Sequence, residues 1–127
     1  MSLTPSPVSA GAEYLLPGLV SEGQRRGLPY REVAHLTAWT PSQRFGLGTN
    51  GAIAPGYDAD VALVDPASPW TVRAVDSEST QEYSPLEGFR LDARVTDTFV
   101  RGHRILADGK VVGEPHGRYL RRPIPAG

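Results

Sequence analysis

The sequence predicts an α+β fold, with a helical segment over residues 1–48 and a β-rich segment over 49–127. Three observations carry that division. Apolar residues recur at helical spacing in the first third of the chain. After Gly51 the period changes to continuous or alternating apolar runs, and Asp108-Gly109 then sits between two such runs as a hairpin signal.

Ala12, Leu15, Leu16, Leu19 and Val20 fall on one stripe of a 3.6-residue helix, with Ser9 as its cap and Glu13 near its positive end. Gly23 and Gly27 offer places to stop, and Pro17 should kink or split the helix because its ring removes a backbone bond. A second helix should start at Pro29 and carry Tyr30, Val33, Ala34 and Thr37 on one face. Thr40-Pro41-Ser42-Gln43 then reads as a fresh start, with Thr40 as cap and Gln43 closing a capping box, ending at Gly46 or Gly48.

Val61-Ala62-Leu63-Val64, between Asp60 and Asp65-Pro66, reads as a strand buried on both faces. Trp70-Thr71-Val72-Arg73 alternates as a half-buried strand should, and residues 76–90 lack any period and read as a loop. Strands are expected again at Thr96–Val100 and Arg104–Leu106 around Arg101-Gly102-His103, and at Lys110-Val111-Val112 after Asp108-Gly109. From Arg118 to Gly127 the chain is basic, then proline-rich, and should be extended.

Composition excludes several classes. Thirteen basic against fourteen acidic residues give a net charge of −1, without the basic excess of a nucleic-acid binder. No apolar run approaches the roughly 18 residues of a membrane span. The opening Met1-Ser2-Leu3-Thr4-Pro5-Ser6-Pro7 lacks the basic start and apolar core of a secretory leader, so a cytoplasmic protein is expected. The absence of cysteine removes disulfides, thiolate metal sites and cysteine nucleophiles. Every basic residue except Lys110 is arginine, a bias that codon usage explains more simply than anion recognition.

The residues alone assemble no catalytic site. His35, His103 and His116 show no metal-ligand spacing and read as isolated, so no metal site is expected. Asp58, Asp60 and Asp65 bracket a strand rather than converge, which suits turn-stabilising roles. Arg118-Tyr119-Leu120-Arg121-Arg122 could meet an anion or an acidic partner, but a solvated tail explains it more simply. No Gly-x-Ser-x-Gly elbow or phosphate loop occurs, and an esterase built on an N-terminal serine and His116 has no local support.

Several stretches nevertheless resemble the C-terminal portion of the cyclic amidohydrolases, the dihydroorotase, allantoinase and hydantoinase group. They are Gly11-Ala12-Glu13-Tyr14-Leu15-Leu16-Pro17, Thr40–Leu47, Gly51–Pro66, Tyr83–Phe89, Thr98–Gly102, Asp108-Gly109-Lys110 and Gly117–Leu120. In order and spacing they cover nearly the whole chain, and Ser84-Pro85-Leu86-Glu87-Gly88-Phe89 looks most like dihydroorotase or allantoinase, with dihydroorotase favoured.

The resemblance implies that residues 9–47 are the last helices of a (β/α)₈ barrel and that 51–115 form half of a small C-terminal β-sandwich. It also implies a zinc-type site of two divalent metals held by a His-x-His pair, a carboxylated lysine, two further histidines and an aspartate. None of these has a counterpart here, and the sole lysine, Lys110, falls in a hairpin. A barrel of that type needs roughly 200 residues or more. What it leaves of the active-site neighbourhood is the stretch Pro7-Val8-Ser9-Ala10-Gly11, whose dihydroorotase counterpart touches substrate through its backbone; Val8, Ser9 and Gly11 are thus the candidate substrate-binding residues. Two roles are therefore expected: a fragment of a metal-dependent hydrolase of cyclic amide C–N bonds, with no cofactor of its own and inactive alone, or a non-catalytic module. Either would self-associate or dock on the barrel or on a full-length relative through the stripe of Leu15, Leu16, Leu19 and Val20.

Overall fold

The computed structural model describes residues 11–79 and 83–122. Helices come first: α1 (Ala12–Arg25), α2 (Tyr30–Ala34), a π-helical turn (His35–Trp39) and α3 (Thr40–Phe45). Six strands follow, β1 (Val61–Asp65), β2 (Trp70–Thr71), β3 (Arg90–Leu91), β4 (Arg94–Val100), β5 (His103–Ala107) and β6 (Lys110–Val111), with a 3₁₀ turn at Ala74–Asp76. No helix among the described residues is long and apolar enough to cross a membrane.

Pro17 does not break α1, which runs unbroken through it. Its missing N–H costs a single bond to the carbonyl of Glu13, an exposed residue whose oxygen water can reach. Ser9 lies outside the described residues, and Gly11 occupies the N-cap without a side-chain cap. The buried face is also rotated from the expected stripe: Tyr14, Pro17, Val20 and Ser21 are buried, Leu16 and Leu19 half-buried, and Leu15 is 63% exposed.

Thr40 lies within a continuous helical run. It does not restart the chain, because α2, the π turn and α3 share right-handed helical geometry and Thr40 itself is helical (φ −60°, ψ −45°). Pro41 in an ordinary α-helix would press its ring on the Thr37 carbonyl, and the wider π turn just before it relieves that clash. Gly46 ends the helix in the left-handed region, as expected.

Four strands form an antiparallel sheet in the order β1-β4-β5-β6, and β2 and β3 form a separate antiparallel pair. The two hairpins fall where the sequence places them. Arg101-Gly102 and Asp108-Gly109 both take consecutive positive φ values, 45° and 79° then 49° and 72°, the geometry that matches the twist of two-residue hairpins. Val72 is fully buried between exposed Thr71 and Arg73, so the alternation holds although β2 is only two residues long. The expected loop over 76–90 ends one residue early, because Arg90 pairs with Thr71.

β1 overturns a further expectation. It lies at the edge of its sheet, Ala62 is exposed and Leu63 is 48% exposed, so the run is not buried on both faces. A continuous apolar run records what a strand can bury, while its burial depends on a partner layer.

Two small cores tie helices to strands. Tyr14, Val72 and Leu91 pack with Trp70 and Leu86, and Val20, Val33 and Ala93 pack with Leu16, Leu19, Leu28 and Val64. Between them sits Ser21, fully buried on α1. Its hydroxyl donates to the Pro17 carbonyl at 2.7 Å and accepts the Asp92 and Ala93 N–H groups at 3.0 Å each. Around this junction Trp70 Nε1 donates to the Ala93 carbonyl at 2.8 Å, and the Arg25 guanidinium meets Asp92 at 2.8 Å.

Candidate functional site

Of the three expected substrate-binding residues, Val8 and Ser9 lie outside the described residues. Gly11 is exposed at the start of α1, and its carbonyl accepts the Tyr14 N–H at 3.1 Å. Next to it, Glu13 fastens the first turn of α1 to the loop after β2, accepting the Ser77 hydroxyl and the Glu78 N–H. Burial raises the Tyr14 hydroxyl above its ordinary pKa, against the opposing hydrogen bonds of Ser77 and Ser84. The start of α1 is thus anchored by Ser77 and Glu78, a contact between parts of the chain over sixty residues apart that no local pattern announces.

Asp65 stabilises its own turn, as expected, while Asp58 and Asp60 tie separate segments together. Asp58 accepts the Thr49 hydroxyl at 2.7 Å, and Asp65 accepts the Ala67 N–H at 2.9 Å. Asp60 accepts Asn50 Nδ2 at 2.7 Å and the Arg101 N–H at 2.8 Å, joining the loop before β1 to the β4–β5 turn. The histidines are not all isolated, contrary to the sequence reading. His103 and His116 stack with ring centroids 4.1 Å apart and planes 8° from parallel, while His35 is exposed on the π turn. Their spacing of thirteen residues across a strand and a tail gives no sequence signal for the pairing.

Among the described residues no three His, Cys, Asp or Glu side chains come together as a metal cage would require. The carboxylates already hold N–H and O–H groups, and the stacked rings point their nitrogens along parallel planes rather than at a common point. These donors do not fit the two-metal site that the resemblance implies.

Two carboxylates further on set the acid response. The Ala74 N–H at 2.6 Å, then the Arg73 guanidinium at 3.2 Å, hold Glu87 below its ordinary pKa. The Thr96 hydroxyl, then Arg104, do the same for Asp97. A carboxylate with a depressed folded-state pKa contributes stability above its unfolded value, and loses it as the pH falls through the folded value. Unfolding by urea should therefore become easier as the pH drops below the ordinary carboxylate value of 4.5 for Glu87. Glu87→Gln should flatten part of that acid limb, leaving the share that belongs to Asp97; an unchanged pH profile would show that the Ala74 contact carries no weight.

An apolar cleft of about 660 Å³ lies between the helices and the sheet edge. Leu16 and Val20 of α1, Val33 of α2, Ile53, and Val61 and Val64 of β1 line it, with Asp60 also in the lining. Its floor is the half-buried part of the second core, and Ile53 at its rim is 91% exposed. Chemically this surface can bury apolar groups.

A sequence profile described as the amidohydrolase family matches residues 12–112. The allantoinase of Rubrobacter xylanophilus is 39% identical over 113 residues, which is 88% of this chain and 25% of that protein. A D-phenylhydantoinase of Escherichia coli is 34% identical over 115 residues, with the same two shares covered. Among solved structures, a D-hydantoinase (dihydropyrimidinase) from Thermus sp. superposes with a TM-score of 0.79 at 33% identity, over 84% of this chain and 24% of that one. The chain spans about a quarter of the length of the curated relatives it matches. These relatives are allantoinases and hydantoinases, so they lend no specific support to the preference for dihydroorotase.

Proposed function

The chain belongs to the amidohydrolase family, and from that premise we propose that it is the C-terminal structural part of a cyclic amidohydrolase and does not hydrolyse cyclic amides by itself. The observation that carries this reading is the pairing of a match over residues 12–112 with the lack, among the described residues, of any group of three donors that could hold a metal. In this reading the ligands of the zinc-type centre belong to the rest of the enzyme. The helices to Phe45 are the last barrel helices, and the four-stranded sheet is half of the small sandwich, which fits the open edge of β1 and its half-exposed apolar run.

The substrate class is a cyclic amide or ureide. The Ser84–Phe89 stretch suits either dihydroorotase or allantoinase, and the 39% identity to an allantoinase favours allantoin over dihydroorotate. The test is an assay of the purified 127-residue chain, with zinc added, on allantoin, a 5-substituted hydantoin and dihydroorotate. No turnover above the uncatalysed rate is expected on any of them; measurable turnover would overturn the reading.

A second reading, a non-catalytic module that docks on a full-length relative, is favoured by the apolar cleft and by exposed Leu15, Leu36 and Phe45. Light scattering after size exclusion, with and without such a relative, separates the two. A co-eluting complex with an intact enzyme supports the module, and a monomer that ignores it supports the structural part.

A further inference from the structure

Beyond Val112, whose N–H reaches the Ile105 carbonyl at 2.9 Å, the described tail carries no regular secondary structure. It is nevertheless fastened to the β4–β5 turn. The Arg101 guanidinium donates to the His116 carbonyl, and the His116 ring lies flat on the His103 ring at the start of β5. Imidazole is the ordinary side chain whose charge changes between about pH 5 and 8. Two neutral rings 4.1 Å apart attract by stacking, whereas two imidazolium rings at that distance repel.

We propose that the His103–His116 stack is a pH-operated latch, which holds the C-terminal tail on the β4–β5 turn when neutral and releases it when both rings are protonated. The surrounding charges do not rescue the protonated pair. Arg101 contributes a cation directly on the His116 carbonyl, and the Asp60 carboxylate is engaged by the Arg101 N–H and by Asn50. Next along β5, Arg104 is paired with Asp97 of β4, and on the tail itself Glu114 and Arg118 oppose each other in sign. Among the described residues no carboxylate is ion-paired with either ring. The sign follows: the latch is strong at the alkaline end and weakens as the pH falls. Because Asp60 also lines the apolar cleft, the turn that holds the latch is coupled to the cleft wall through its N–H.

The test is amide heteronuclear NOE of residues 114–122 on the full chain, followed with the His Hε1 shifts while the pH is lowered through the imidazole range. In the wild-type chain the tail amides should become mobile, and the ring-to-ring cross-peaks should vanish, as the second ring titrates. His116→Phe keeps an aromatic ring without the charge, so its tail should stay ordered over the same range. His116→Ala should leave the tail mobile at every pH with the sheet amides unchanged, which separates latch loss from unfolding. A tail that stays ordered while both rings titrate, or one released in the same pH range in His116→Phe, would overturn the latch.

Discussion

Gly51→Ala should destabilise the chain by about 2–5 kcal/mol, combining strain of a left-handed non-glycine backbone with overpacking. Gly51 has φ +95°, and a Cβ there would lie 2.7 Å from Ser42 Cβ and 2.8 Å from the Ala38 carbonyl oxygen. Neither neighbour can yield. Ala38 belongs to the π turn, and the Ser42 hydroxyl, its one proton shared between them, lies 2.7 and 2.6 Å from the Leu47 and Asn50 carbonyl oxygens. The loop after α3 is therefore wrapped on the helix through Gly51, and it supplies one wall of the apolar cleft. A fall in the urea midpoint with an unchanged slope is the expected result; wild-type stability would show that the loop can move away at no cost.

Ser21→Ala is the second large effect. The Ser21 hydroxyl uses its full bonding capacity, one donated and two accepted bonds, at a position with no exposed surface. Removing it leaves the Asp92 and Ala93 N–H groups without that acceptor, and Ala93 is itself fully buried. Each buried donor left unpaired costs about 1–3 kcal/mol, so a loss of about 2–4 kcal/mol is expected. The break falls where α1 meets the entry to β4, so amide exchange should accelerate first at Asp92 and Ala93. Ser21→Thr retains an oxygen and should lose less; equal losses in both variants would trace the effect to packing instead of the hydroxyl.

Local chemistry was readable in the sequence, and relations between distant segments were not. Asp108-Gly109 announces its hairpin because the backbone requirement lies within the two residues themselves. Asp65 reads as a turn residue for the same reason, whereas Asp60 reaches the Arg101 N–H across forty-one residues, which no local pattern marks. Helical spacing marks a face without saying which layer covers it, so Leu15 is exposed despite lying on the apolar stripe, and the apolar run Val61–Val64 is half-exposed for the same reason. Nothing near Ser21 marks its role, since its two acceptor bonds reach across more than seventy residues of sequence. No pattern near His116 marks the His103–His116 stack, because Arg101 fastens the tail from a distant turn.

At the candidate site, the match of residues 12–112 bears out the family resemblance drawn from the sequence. Gly11 sits exposed at the head of α1, next to the Glu13 anchor. That anchor could not be foreseen, because Ser77 and Glu78 lie in a stretch without any period.

Reconstitution bears most directly on the role assigned to this chain. The Rubrobacter xylanophilus allantoinase, expressed without the segment that residues of this chain match, would be mixed with the 127-residue chain and assayed for allantoin opening. Turnover by the mixture and by neither polypeptide alone is the expected outcome. Allantoin opening by the 127-residue chain on its own would contradict it.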